Sequence, residues 1–371
     1  MRKLVMFTIV LAGCGADAPP VDEPVGGHDE NAPPAPAVGS RDEAPKPEST
    51  TPPPSAPKPP QKPEDPPLDL AKVSCATPPP QSATKALALP IYAGTCPALA
   101  VPPAVTSITS SGAKRELLVF RPSNIAPNEK LPVVFLWHWL GGSAPSIGEK
   151  LEAQAAADKH RFVAIAPSTK GDTFFKWPFE DSQSDARVEE EAKFFDDMLA
   201  CVAAALPIDK ECVSSVGISA GALWTSQLAV ARSERLASIV SLSGGVEDSL
   251  VRPWKTTPHR LPALVLWGGP KDWYPEKVPI VNFEEASKNL EAALQKDGHF
   301  VVESTHASVH DVPPFEAPPD GKPFDAIWEF VLAHPYWLAA GTSPYTAKTS
   351  SLPNWCANGV GKATPSTSCP Y

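Results

Sequence analysis

No aromatic side chain lies between Phe7 and Tyr92 of this 371-residue chain, although it carries 10 Trp, 5 Tyr and 14 Phe in all. The gap is filled with proline: 20 of the 47 prolines fall within residues 17–80. A segment so poor in large apolar groups cannot bury enough surface to offset the entropy of ordering it. The foldable part therefore starts after the first quarter and is long enough for one sizeable core. Clusters of basic residues are also missing. Residues 1–91 hold 8 Lys+Arg against 11 Asp+Glu, and the remainder holds 24 against 31. With no cationic run to replace counterions, a nucleic-acid partner is excluded. No CxxC pair occurs, so the cysteines do not have metal-ligand spacing and no metal is expected. No run of about 18 apolar residues exists, so no segment is expected to span a bilayer.

The start of the chain is informative. Met1-Arg2-Lys3 precedes an apolar run over residues 4–11 and then small residues, the layout of a secretory signal. Leu11-Ala12-Gly13-Cys14 resembles a bacterial lipobox, which implies cleavage before Cys14 and a lipid on its sulfur. Three segments follow from this: a lipoprotein signal peptide over 1–13, a lipidated Cys with a disordered Pro-rich linker over 14–72, and a catalytic domain over 73–371. Pro52-Pro53-Pro54 and Pro59-Pro60 favour polyproline II, a semi-rigid spacer. The lipid would be the chain's only link to a membrane, at the cell envelope outside the cytoplasm. Six cysteines remain: Cys75, Cys96, Cys201, Cys212, Cys356 and Cys369. An even number in an exported chain points to disulfides. Sequence proximity favours Cys75–Cys96, Cys201–Cys212 and Cys356–Cys369, the last pinning a C-terminal tail.

Beyond Arg115, strand-like runs alternate with helical ones. Strands are expected at 116–121, 132–137, 162–166, 213–218, 239–242, 263–267 and 300–304. Helices are expected at 149–160, 185–206, 220–231, 283–296 and 324–334. This alternation predicts an α/β fold, a mainly parallel sheet covered by helices on both faces.

The richest segment is Gly217-Ile218-Ser219-Ala220-Gly221, a G-x-S-x-G pattern between a strand and a helix. In that context the turn lifts the Ser219 hydroxyl clear of the sheet, as a nucleophile needs. The backbone N–H of Ala220 then faces a developing oxyanion. The strand at 132–137 runs into His138-Trp139-Leu140-Gly141-Gly142, from which the Leu140 N–H is the second expected donor. His138 is read as shaping that loop. Residues 142–150 miss the Walker spacing, and no cofactor is expected. Asp272, on the loop after strand 263–267, suits the orienting acid. His306 and His310 both follow strand 300–304, and His310 is the favoured general base.

Taken in order, the Gly217–Gly221 elbow, the His138 loop, Asp272, His306 and His310 before Pro313-Pro314, and the closing segment 327–335 resemble the polyhydroxybutyrate depolymerase/feruloyl esterase group of α/β-hydrolases. The resemblance covers roughly residues 100–340. It implies a secreted serine esterase acting on polyester, feruloyl or acetyl-polysaccharide esters, and it supports His310 over His306. That family carries Gly directly after the loop His, where this chain has Trp139. Trp139, Trp177 and Trp273 are the expected cleft-lining residues, and Trp224 is expected in the core. The contrasting expectation is a catalytically inactive hydrolase-fold surface binding lipoprotein, motivated by Trp139. A peptidase would need a cap or propeller domain that is not evident.

Overall fold

The computed structural model describes residues 67–275, 280–313, 323–347 and 352–365. By its contacts the chain divides into Met1–Gln61 and Lys62–Tyr371, and every described residue belongs to the second unit. The signal peptide, Cys14, most of the linker and Cys369 lie outside the described residues. Leu70–Lys72 form a short 3-10 turn, so described structure begins before residue 73.

A nine-stranded sheet forms the centre. In chain order its strands are β1 (Thr106–Ser110), β2 (Ala113–Phe120), β3 (Leu131–Trp137), β4 (Val163–Pro167), β5 (Ile208–Ile218), β6 (Ser238–Leu242), β7 (Ala263–Trp267), β10 (Val301–Thr305) and β11 (Cys356–Asn358). A two-stranded ribbon, β8 (Trp273–Tyr274) and β9 (Val281–Asn282), stands apart. The spatial order is β1-β2-β4-β3-β5-β6-β7-β10-β11. Neighbours from β4 through β10 are parallel, while β1, β2 and β11 run antiparallel at the margins.

Among the described residues six helices cover this sheet, three on each side. On one face lie α3 (Asp185–Ala205), α4 (Ala220–Arg232) and α5 (Phe283–Lys296). On the other lie α1 (Ala144–Lys150), α2 (Ala153–His160) and α6 (Asp325–Leu332). Strands buried on both faces read as continuous apolar runs, which is why β3, β4 and β7 were legible. The pleat sends Val133 and Phe135 to one core and Val134 and Leu136 to the other.

Local chemistry sets the helix starts. Ser184 caps α3 by accepting the Arg187 N–H, and Asn282 caps α5 by accepting the Glu285 N–H. The single helix expected over 149–160 is two. Ser143 and Ser146 form a reciprocal cap that starts α1 at Ala144. Glu152, in the left-handed conformation at φ 49°, then separates α1 from α2.

The cysteines correct the proximity pairing. Cys75 bonds to Cys212 and Cys96 to Cys201. The chain before β1 runs back along the sheet and α3, so residues far apart in sequence meet. The Cys356–Cys369 pairing lies outside the described residues.

Candidate active site

The candidate triad and the His138–Gly142 loop stand beyond the carboxyl ends of parallel strands. The chain steps from β3 outward to β4, then returns to the other side of β3 as β5. Such a reversal opens a crevice above the two strands, where ligands of open α/β sheets bind. The His138–Gly142 loop leaves β3 there, and Ser219 leaves β5. Ser243 follows β6, Asp272 follows β7 and His310 follows β10.

Ser219 sits at φ 54° and ψ −119°, a region sparsely used by residues with a side chain. Its neighbours hold it there. A Cβ on Gly217 would fall 2.1 Å from the Gly221 carbonyl oxygen. A Cβ on Gly221 would fall 1.9 Å from the Trp137 carbonyl oxygen. Both glycines are required by this close approach, which seats the start of α4 against β3 and β5. The Ser219 N–H is tied to the Leu242 carbonyl at 2.9 Å. Ala220 opens α4, so its N–H belongs to the first turn, whose donors have no intrahelical acceptor.

Three of the sequence-selected side chains come together. His310 Nδ1 donates to Asp272 Oδ1 at 2.6 Å. The Ser219 hydroxyl lies 2.9 Å from His310 Nε2, which is left to accept its proton. Asp272 is fully buried, and its other oxygen accepts the Gly268 N–H at 2.7 Å and the Ser243 hydroxyl at 2.8 Å. The carboxylate is thus fixed by three donors, one of them the imidazole. The Phe283 ring lies nearly parallel to His310 with centroids 4.1 Å apart, and Tyr274 approaches it at 6.0 Å. The Phe283 N–H bonds the Asp272 carbonyl at 2.8 Å, which couples α5 to the acid loop.

His306 does not take part in this chain of contacts. It is buried, burial pushes its pKa down, and Nδ1 accepts the Ser308 N–H at 3.0 Å. His138 is also buried with a lowered pKa, and its Nδ1 donates to the Trp139 carbonyl at 2.8 Å. That contact closes the loop on itself. The Trp139 carbonyl also accepts the Gly142 N–H at 2.9 Å.

Above Ser219 and His310 lies a cavity of about 390 Å³. Trp139 and Leu140 form part of its wall, together with Ile218, Tyr274 and Val312. Two expected cleft residues are not there. Trp177 is fully buried, donates through Nε1 to the His138 carbonyl at 2.8 Å, and packs edge-on against Trp137. Trp224 also packs edge-on against Trp137 and is core, as expected. These indoles form an apolar floor under the elbow. Trp273 is half-buried on β8, and its neighbour Tyr274 faces the cavity instead.

Sequence reasoning missed Ser243, Tyr274, Phe283 and Lys150. Ser243 carried the clearest signal: it is a small polar residue directly after a buried strand, the same context that marked Asp272. Phe283 and Tyr274 reach the site through tertiary packing that nothing in their local sequence marks.

Among the described residues no group of three or more His, Cys, Asp or Glu has a metal-binding arrangement. No helix of the described residues is long and apolar enough to cross a membrane.

No protein-family model and no curated protein matches the chain. Solved structures do. The one described as "Crystal Structure of sOPH Native" superposes with a TM-score of 0.58 and 17% identity, covering 72% of this chain and 96% of that one. "Crystal Structure of pOPH Native" gives 0.56 and 18%, covering 71% and 97%. At such identities the likeness is one of fold, and the fold of this chain is that of the α/β-hydrolases.

Proposed function

We propose that the protein is a serine carboxylic-ester hydrolase working through Ser219, His310 and Asp272. The observation that carries this reading is the unbroken line of contacts from Ser219 Oγ through His310 to the buried Asp272 carboxylate. Ser219 Oγ attacks the ester carbonyl while its proton passes to His310 Nε2. Asp272 holds the imidazole in the tautomer that presents a bare Nε2 and stabilises the cation that forms. The N–H groups of Ala220 and Leu140 bind the tetrahedral oxyanion. The alcohol leaves with the proton from His310, and water, deprotonated by the same imidazole, releases the acid from the acyl-enzyme.

The substrate class follows from the sequence resemblance: polyester, feruloyl or acetyl-polysaccharide esters. The mostly apolar cavity walls suit such groups. We further propose export as a lipoprotein anchored at Cys14. The Leu11–Cys14 pattern supports this, and the two disulfides fit an oxidising compartment outside the cytoplasm.

The test is turnover of p-nitrophenyl acetate and methyl ferulate by the wild type and Ser219→Ala. The expected result is loss of at least about 10⁴-fold in kcat for the variant. Equal rates for the two proteins overturn the proposal. The binding-protein reading rests on Trp139, and a fluorophosphonate probe separates it. Rapid labelling that depends on Ser219 supports the esterase, and no labelling supports the binder.

A further inference from the structure

The cavity above Ser219 is mostly apolar, with Ser219, Ser243, His310, Asp311 and Lys150 as its polar side chains. Lys150, in the last turn of α1, lines the same space as Trp139, Tyr274, Ser219 and His310. Among the described lining residues it is the only lysine or arginine. Among the described residues its sole counter-charge is Asp311 Oδ1 at 3.6 Å, beyond hydrogen-bonding distance. That same oxygen already accepts the Val312 N–H at 2.7 Å. The Asp311 side chain is 46% exposed and that of Lys150 34%. An ion pair this open is worth about 1 kcal/mol or less. The ammonium carries three donors, and among the described residues none is hydrogen-bonded. The four-carbon stem can lie along the apolar wall while the head meets whatever enters.

The chain as a whole carries a net charge of −10, so its overall field repels anions. A cation at the cavity edge runs against that field. Bound substrate excludes water from the cavity, which strengthens a charge-assisted contact there. A carboxylate entering with the substrate would meet a loosely held ammonium and displace Asp311 toward solvent.

We infer that the cavity takes esters that also carry a free carboxylate, with Lys150 Nζ as the group that binds it. This rests on the esterase reading above and narrows its substrate class to monoanionic esters. Lys150 is a specificity-determining residue here and moves no proton in the reaction.

Two matched pairs of substrates test the inference. Mono-p-nitrophenyl adipate against p-nitrophenyl hexanoate places the carboxylate on the acyl side. 4-Carboxyphenyl acetate against 4-methylphenyl acetate places it on the alcohol side. For at least one pair, Lys150→Met is expected to lower the anionic-to-neutral ratio of kcat/KM by about tenfold, the size of one charged hydrogen bond. The change should fall mainly in KM for the anionic ester. Lys150→Arg should retain the ratio, Asp311→Asn should raise it, and added salt should lower it in the wild type. If neither ratio responds to Lys150→Met while the neutral esters are still turned over, the inference is overturned and the esterase reading stands. If the wild type turns over none of the four esters, both fall together.

Discussion

Asp272 is the most constrained residue of the site. It is fully buried and receives three hydrogen bonds, from His310, Ser243 and the Gly268 backbone. On the proposed mechanism these contacts differ in kind. The imidazole contact selects the tautomer with a bare Nε2, whereas the Ser243 contact only steadies the carboxylate. Asp272→Asn should therefore lower kcat by about 10⁴-fold, because an amide can donate to Nδ1 and favour the wrong tautomer. Ser243→Ala leaves the Gly268 N–H in place and should lower kcat by only about tenfold, as the loss of one hydrogen bond to a charged group. Steady-state rates on p-nitrophenyl acetate give both numbers, and KM should change little in either variant. A Ser243→Ala loss as large as that of Asp272→Asn would show that the hydroxyl does more than position. The strained Ser219 backbone belongs to this scale too. It is accommodated because Gly217 and Gly221 let the backbone around the turn approach more closely than any side chain would permit.

At the level of elements, α5 does two jobs with opposite demands. Its first residue, Phe283, stacks on His310, and its inner face carries Leu290, Leu294 and the fully buried Glu291. Neither Glu291 oxygen meets full hydrogen-bond geometry among the described residues, and the Trp267 indole and Lys288 only partly offset its burial. Burial, reinforced by the negative charge of Glu303 on β10, pushes its pKa up to about 8. In the unfolded chain the same carboxyl titrates near 4.5. The folded state thus favours the neutral acid, whose contribution is fully present below the unfolded value. It is lost as pH rises from there through about 8, at about 1.4 kcal/mol per pH unit. Urea unfolding at pH 5 and pH 8 should show the wild type losing stability relative to Glu291→Gln at the higher pH; the buried His138, His259, His299 and His306, whose lowered pKa values act in the opposite direction, are common to both proteins and cancel. A gap between the two proteins that does not change with pH would rule Glu291 out. The apolar stripe Phe283, Ala286, Leu290 and Leu294 marks the sheet-facing side of α5, but a carboxylate such as Glu291 is by its charge the residue sequence reading assigns to solvent. The strands were more legible, because burial on both faces leaves a continuous apolar run in β3, β4 and β7. The margins were not: β1, β8, β9 and β11 are short or half-exposed and carry no such run. The same contrast holds in the site. Ser219 was readable because its whole environment is contiguous in sequence, whereas Ser243, Tyr274 and Lys150 reach the cavity from separate loops and helices.

For the described unit as a whole, the question is what holds the long segment before β1. It has almost no regular structure; Val73 packs on Trp337 and Leu338, Ala86 on Ala237 and Tyr336, and Leu89, Tyr92 and Leu99 rest against the main core. Hydrogen bonds add to these, with the Ala86 N–H on Glu211 at 2.9 Å and its carbonyl on Lys210 at 2.8 Å. Two disulfides do the rest. Cys75–Cys212 fastens the segment to β5, and Cys96–Cys201 fastens it to α3, across sequence separations of 137 and 105 residues. Loops of that length carry a large closure entropy when unfolded, so removing each bond should cost about 2–4 kcal/mol. In a unit of this size about 1 kcal/mol corresponds to about 2–4 °C. Cys75→Ser with Cys212→Ser should then lower Tm by about 4–16 °C, as should the corresponding pair at Cys96 and Cys201. The sheet and its two helical layers do not depend on these bonds for their cores, so the loss should appear first as proteolysis within 67–105, ahead of cleavage in β3 to β7. Ser219, His310 and Asp272 sit on loops at the carboxyl ends of those parallel strands. Esterase activity at 25 °C should therefore outlast the onset of cleavage, and parallel loss of both would show that the segment is part of what shapes the site.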